Sequence, residues 1–244
     1  MGLALSRLAE EAPAAVGLGR LLAFLAPEPV PLARLLSGEQ AAGLPGPEVA
    51  AVIGPLLDDP VAAGDAITAL RRYSLVTPAG SGLVLVHRLV QAITRAQLSA
   101  EAAGQWEQAA AALVDAAVPA DARLAAEWPM FAVLLPHAIA VLDLTSGGMS
   151  RIAQYIGYSG SYRAARDLFQ RIADAYGESA AYGPEHRDTL GARSELARWT
   201  GAVGGNAAGA LDPLDDGQQG GELVAGPGLI PGLPGPAGEP AAGP

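Results

Sequence analysis

The 244-residue chain contains no cysteine and no lysine. Without cysteine it can form neither a disulfide bond nor a thiolate metal site. Without lysine it lacks the amine for Schiff-base catalysis and the lysine of a phosphate-binding P-loop. All 15 basic residues are therefore arginines, and 25 acidic residues leave a net charge of −10. That charge repels nucleic acids and acidic membrane surfaces.

Histidine is also scarce, and three histidines scattered along a chain without cysteine predict no metal site. We interpret His137, beside the apolar face of a predicted helix, and His186, in a predicted loop, as structural residues. No uncharged stretch is long enough to span a membrane, and acidic residues interrupt the N-terminus where a signal peptide would be apolar. The sequence therefore predicts a cytoplasmic protein with no metal, no cofactor of its own and no catalytic residue.

The period at which apolar residues recur changes twice within residues 67–95. Ile67, Leu70 and Tyr73 recur at helical spacing, and two short β-rich runs, 75–77 and 83–86, then flank a Gly-rich turn. A second helix follows, and four apolar residues are predicted on its buried face: Leu89, Val90, Ile93 and Ala96.

This order of helix, hairpin and helix is the core of a winged helix. The other helices of that small domain are predicted at 14–26, 32–36 and 49–57. A further helix is predicted to start at Asp59-Pro60, with the aspartate as N-cap and the proline in the first helical position. The prolines at 27, 29 and 31 are expected to form a rigid link. The winged-helix domain is therefore predicted to span residues 14–99.

Residues 100–212 are predicted to form an array of helical hairpins. The segment 152–167 recurs at 196–212, and Tyr155 aligns with Trp199 at an offset of 44 residues. At the same offset Gly157 aligns with Gly201. Small residues let the helices approach, and the aromatic residue fills the gap between repeats, so each unit leaves an apolar face for its neighbour. Five residues are accordingly predicted to pack the repeats or to line their groove: Tyr155, Tyr158, Tyr162, Arg166 and Trp199.

After residue 212 the sequence no longer matches the repeat. Residues 213–244 are dense in proline and glycine, and we expect them to be a disordered tail. The fold class is therefore predicted to be mostly α, with one β-hairpin in the winged helix, a helical repeat array and this tail.

Several segments resemble one known group. ALRRYSLV and VHRLVQAITR flank the hairpin, and WPMFAVLLPHA, GSYRAARDLF and LARWTG lie in the second block. They resemble the NB-ARC (STAND-type) signalling ATPases of high-GC bacteria, in which a nucleotide-binding domain, a winged helix and tetratricopeptide repeats follow one another. The resemblance covers residues 19–212 and implies that the array at residues 100–212 is tetratricopeptide-like. Because the ATPase domain should precede the winged helix, the chain is expected to be the truncated C-terminal part of such a protein, or a degraded copy.

The resemblance also singles out His87. Val86-His87-Arg88 lies where the group has a Met-His-Asp motif, whose histidine reaches the β-phosphate of bound ADP. Only His87 matches, so the resemblance implies a vestigial ADP sensor that needs an upstream nucleotide-binding domain. A histidine that is hydrogen-bonded at a helix start explains the same residue without any ligand.

The predicted function is a non-catalytic interaction or regulatory module that binds a protein partner through its helical repeats. DNA binding through the winged helix is one alternative, since Arg71 and Arg72 are adjacent in the helix before the hairpin. However, six arginines and six acidic residues balance over residues 14–98. The second alternative is an ADP-sensing fragment that acts with a separate ATPase domain. Oligomerisation stays open, and no membrane partner is expected.

Overall fold

The computed structural model describes residue 8 and residues 11–37, 44–80, 82–179 and 181–205. The α-helices with described bounds are α1 (Pro13–Leu22), α2 (Leu32–Leu35), α3 (Pro47–Asp58), α4 (Pro60–Arg72), α5 (Arg88–Ala96), α6 (Ala100–Ala117), α7 (Trp128–Val141), α8 (Gly147–Tyr158), α9 (Tyr162–Glu178) and α10 (Arg187–Gly204), and a 3-10 helix spans Ala125–Glu127. The strands are β1 (Val30–Pro31), β2 (Val76–Pro78) and β3 (Leu83–Val86). The prediction of a mostly helical chain with a β-hairpin is confirmed. The predicted tail at 213–244 lies outside the described residues.

Helix α4 begins and ends at signals that are local to the sequence. The Asp59 carboxylate accepts a hydrogen bond of 2.8 Å from the Val61 amide, and Pro60 takes the first helical position, as predicted. At the other end Ser74 adopts a φ of 57°, and the Leu75 amide donates to the Leu70 carbonyl at 3.0 Å. This left-handed residue turns the chain directly into β2.

The hairpin is part of a three-stranded antiparallel sheet with the order β1-β3-β2. Gly80 (φ 98°) and Gly82 (φ 77°) supply the left-handed conformations of the β2–β3 turn. Strand β1 was not predicted, because its proline-rich sequence indicated a rigid link. In the structure Val30 pairs with Val84, and Pro31 is tolerated because β1 lies at the edge of the sheet.

Helix α5 faces the core with a different side than predicted. Leu89 is 65% exposed, whereas Gln91 is buried. The Gln91 amide nitrogen donates to the carbonyl oxygens of Leu22 (3.1 Å) and Leu25 (3.0 Å), which lie at and just beyond the end of α1. Buried carbonyls need donors, so an amide side chain occupies the position that hydrophobicity alone would give to a leucine.

The core is one cluster of buried apolar residues that runs from α1 to α10. Helix α1 packs against α3, α4, α5 and α6. Trp106 of α6 is 1% exposed, and its indole would lie 3.4 Å from a Cβ atom added at Gly17 of α1. Two hydrogen bonds join the segment around β1 and α2 to helices α6 and α7. Arg34 Nε donates to the Ala117 carbonyl at 3.0 Å, and the His137 ring is bonded to the Pro29 carbonyl at 3.1 Å.

From α6 onward the helices pack in sequential order. Helix α6 contacts α7, α7 contacts α8, α8 contacts α9, and α9 has its most extensive contact with α10. Among the described residues, no helix combines the length and the apolar character that crossing a bilayer requires.

Candidate functional site

A groove of about 410 Å³ lies between α8, α9 and α10. Its position follows from helical spacing, because residues three, four and seven apart lie on one face of a helix. One wall is the α8 face formed by Gly147, Ser150 and Gln154, and the floor is formed by Phe169 and Tyr176 of α9. The opposite wall is formed by residues of α10: Arg187, Asp188, Gly191, Ala192 and Glu195.

The helix that forms the first wall is fixed at its start. The Ser146 hydroxyl accepts a hydrogen bond of 3.1 Å from the Met149 amide, and the Asp115 carboxylate of α6 accepts one of 2.6 Å from the Gly148 amide. Arg151 donates to the Asp115 carbonyl at 2.8 Å. Helix α8 is therefore held to α6 by polar contacts at its first two turns, which fixes the position of the groove wall.

The two aromatic residues of the floor are almost fully buried. Phe169 is 1% exposed and Tyr176 is 6% exposed, so both rings belong to the core. The Tyr176 hydroxyl donates to the Thr145 carbonyl at 2.6 Å. Burial, and secondarily the nearby Asp188 carboxylate, raise the pKa of the Tyr176 phenol, so it stays neutral at physiological pH.

Glu195 has one carboxylate oxygen without a hydrogen-bond partner in the described part of the chain, and its side chain as a whole is 26% exposed. Its Oε2 atom is buried and has no hydrogen-bond partner among the described residues. The Arg198 guanidinium lies 3.8 Å from this oxygen, but it donates to the Tyr158 hydroxyl at 2.8 Å. The same guanidinium also lies 5.1 Å from the Tyr158 ring centroid and 5.2 Å from the Trp199 ring. Arg198 thus gives Glu195 a nearby charge but no hydrogen bond.

Three of the predicted packing residues meet beside the groove. The Trp199 side chain is buried, its ring is stacked on Tyr162 at a centroid distance of 6.1 Å, and the Tyr158 ring meets it edge-on at 5.3 Å. A Cβ atom added at Gly157 would lie 2.5 Å from the indole. These contacts hold α10 against α8 and α9.

Tyr155 and Arg166 lie elsewhere. The Tyr155 ring stacks on Phe131 at 5.0 Å and meets Trp128 edge-on at 6.2 Å, so it packs α8 against α7. Burial raises the pKa of the Tyr155 phenol. Arg166 donates from Nε to the neighbouring Asp167 carboxylate at 2.8 Å, on the surface of α9. Neither residue lines the groove.

The three histidines differ in exposure and in hydrogen bonding. The His87 side chain is exposed at the start of α5 and makes no capping hydrogen bond. His186 is exposed, and its Nδ1 accepts a hydrogen bond of 3.3 Å from the Asp188 amide. His137 is fully buried, and burial lowers the pKa of its imidazole. Within the described ranges, no three histidine or carboxylate side chains are grouped in a way that could hold a metal ion.

The outer face of α4, where a DNA-binding winged helix would read bases, has no basic surface. Val61 is 70% exposed there, and Asp65 and Arg71 are exposed as well. The Arg72 guanidinium lies 3.8 Å from the Glu11 carboxylate. These charges offset one another, whereas phosphate binding requires an excess of cations.

The groove residues were not among the predicted site residues. The available signal was the spacing of Asp188, Gly191, Ala192 and Glu195, which places two acids and two small residues on one face of a helix. Models of protein families, curated proteins and solved structures give no match to this chain. The candidate site is therefore identified from the structure of this chain alone.

Proposed function

We propose that the chain is a non-catalytic protein-interaction module that binds a short segment of another protein in the groove between α8, α9 and α10. The observation that carries this proposal is the groove itself, which has a volume of about 410 Å³ and combines an aromatic floor with polar walls. Concave sites of this size with a few directed polar groups are typical of binding sites.

The packing beside the groove supports the proposal. Trp199 fixes α10, the Tyr176 hydroxyl fixes the floor to the loop before α8, and Asp115 fixes the start of α8. A groove whose walls are already in place loses little conformational entropy when a partner binds. The walls also carry polar side chains, among them Ser150, Gln154 and Asp188. Such side chains can hydrogen-bond to the backbone of a bound peptide, whose polar groups need partners when they leave water.

We also propose that residues 14–99 form a winged helix and that residues 100–212 belong to a tetratricopeptide-like array. The sheet order β1-β3-β2, with α4 directly before the hairpin, supports the first assignment. The sequential packing from α6 to α10 supports the second. With the resemblance to NB-ARC signalling ATPases, this organisation favours a regulatory role in which the repeats contact a protein partner.

The test uses a variant that fills the groove without disturbing the fold. A Cβ atom at Gly191 meets nothing within 4 Å, so Gly191→Tyr places a ring in the groove. Gly201→Tyr is the matched control, because Gly201 lies on the same helix, outside the groove, and is equally unobstructed. Both variants should melt like the wild type or slightly higher, since glycine is a poor helix former.

Short random peptides displayed on phage are then selected on the full chain. We expect the recovered peptides to bind the wild type and Gly201→Tyr alike and to lose binding to Gly191→Tyr. Peptides that bind all three proteins equally, or a selection that recovers no peptide, would show that this groove is not a binding site.

A further inference from the structure

His137 of α7 is a fully buried titratable residue that joins two distant parts of the chain. Its Nε2 atom lies 3.1 Å from the Pro29 carbonyl oxygen, just before β1. A carbonyl oxygen can only accept a hydrogen bond, so Nε2 carries the ring proton and Nδ1 is a bare acceptor. The Nδ1 atom is also buried and has no hydrogen-bond partner among the described residues.

A second proton on this ring would have no acceptor. Protonation of Nδ1 would turn the imidazole into a cation with one of its two N–H groups unpaired in a buried position. The Pro29 carbonyl already accepts from the opposite nitrogen and cannot serve Nδ1 as well. The contact between His137 and Pro29 therefore fits the neutral imidazole and disfavours the imidazolium.

The titratable residues on the helices and strands packed against α7 do not remove this penalty. They are Glu28 beside β1, Glu101, Glu107 and Asp115 on α6, Glu127 in the 3-10 helix, and Arg151, Tyr155 and Tyr158 on α8. Burial lowers the pKa of the His137 imidazole, and it outweighs the Pro29 hydrogen bond and the Glu28 carboxylate, which both favour the charged form.

The weaker side of this contact is the β1–α2 segment, residues 28–37. Strand β1 has two residues, lies at the edge of the sheet and includes Pro31, which has no N–H to donate. Helix α2 has only four residues. Helix α7, in contrast, packs against both α6 and α8. Short elements at an edge open at a lower free-energy cost than long packed helices, so this segment is expected to open first.

We infer that the contact between His137 and Pro29 is a pH-sensitive switch, in which protonation of His137 releases the β1–α2 segment from α6 and α7. The same release breaks the hydrogen bond of 3.0 Å from Arg34 to the Ala117 carbonyl. Both hydrogen bonds that join the segment to the later helices are then lost together. Acidification thus changes how residues 14–99 are held to the helices that follow, and this device is independent of the proposed groove.

Hydrogen exchange followed by mass spectrometry tests the switch on the full chain. Where closing is faster than exchange, the observed rate divided by the intrinsic rate gives an opening constant for each segment. We expect a larger opening constant for residues 28–37 than for α10. Between pH 7.5 and about pH 5.5 the constant of residues 28–37 should rise up to about tenfold, which is the limit for a group that titrates at 6.5 only when it is exposed.

His137→Gln keeps an amide that can donate to the Pro29 carbonyl but has no proton to gain, so the rise should disappear. His186→Gln is the matched control, because this histidine is exposed at the start of α10. It should show the same rise as the wild type.

Three results would overturn the inference. They are an opening constant of residues 28–37 that does not change with pH in the wild type, one that rises equally in His137→Gln, and one that equals the constant of α10 at both pH values. Should His137→Gln not fold, an NMR titration of the wild type replaces it. Protonation of His137 at its ordinary pKa without opening of the segment contradicts the switch, whereas protonation that accompanies the opening supports it.

Discussion

The Trp199 indole occupies the space that a side chain at Gly157 would need. A Cβ atom at that glycine would lie 2.5 Å from the ring, closer than any van der Waals contact allows. Gly157 belongs to α8 and Trp199 to α10, so an aromatic residue of one helix packs directly against a glycine of another. This contact sets how closely α8 and α10 approach each other beside the groove.

Gly157→Ala should therefore destabilise the protein. The added methyl group has no room unless the indole moves, and overpacking of this kind costs about 1–3 kcal/mol. Chemical denaturation followed by tryptophan fluorescence measures the loss. Gly201→Ala is the matched control at the aligned position, where a Cβ meets nothing within 4 Å. This control should be neutral or slightly stabilising, because alanine is the better helix former. A Gly157→Ala variant as stable as Gly201→Ala would show that the indole moves aside without a cost.

Gln91→Leu should destabilise the protein although leucine is more apolar. The Leu25 carbonyl would lose its hydrogen bond of 3.0 Å from the Gln91 amide in a buried position. An unsatisfied buried polar group costs about 1–3 kcal/mol. Urea denaturation of this variant is compared with that of Gln97→Leu, at the exposed end of the same helix. A Gln91→Leu variant as stable as the wild type would show that water satisfies these carbonyls.

His137 should make stability depend on pH. Burial lowers the pKa of the folded imidazole below its ordinary value of 6.5, so the unfolded chain binds a proton that the folded chain does not. Stability is therefore complete above pH 6.5 and falls as the pH is lowered from 6.5 toward the folded pKa. Each pKa unit between the two states is worth about 1.4 kcal/mol.

The measurement for His137 is the free energy of unfolding between pH 7.5 and pH 5. In His137→Gln, which has no proton to gain, the stability should fall less over this interval than in the wild type. Parallel curves for the two proteins would indicate that His137 is protonated in the folded state as readily as in the unfolded chain.

His87→Ala should leave the stability of this chain within about 0.5 kcal/mol of the wild type, as is usual for exposed positions. The side chain is exposed and does not cap α5. Thermal melting followed by circular dichroism checks this expectation. Where a nucleotide-binding domain is supplied upstream, the ADP-sensor hypothesis expects the same substitution to weaken ADP binding, and equal ADP affinities would contradict it.

The features that the sequence predicted are those encoded by neighbouring residues. The start of α4 depends on Asp59 and Pro60 alone, and the hairpin follows from a change of apolar period around glycines. The internal repeat aligned Tyr155 with Trp199 and Gly157 with Gly201, but it did not indicate that Trp199 would contact Gly157.

The features that were missed depend on residues distant in the chain. Val30 joins the sheet because Val84 offers a free edge, and Gln91 faces inward because carbonyls of residues 22 and 25 need donors. Hydrophobic periodicity contains no information about these partners, so it placed Leu89 in the core. The groove likewise exists only once α8, α9 and α10 are assembled.

The burial of Trp106 against α1 means that the earlier and the later helices depend on each other for stability. Its indole lies close to Gly17, while Arg34 and Pro29 are bonded to residues of α6 and α7. If the helices from α6 onward were removed, the α1 surface around Gly17 would be exposed to water, and the Arg34 guanidinium and the Pro29 carbonyl would lose these partners. Residues 14–99 are therefore expected to be less stable alone than within the chain.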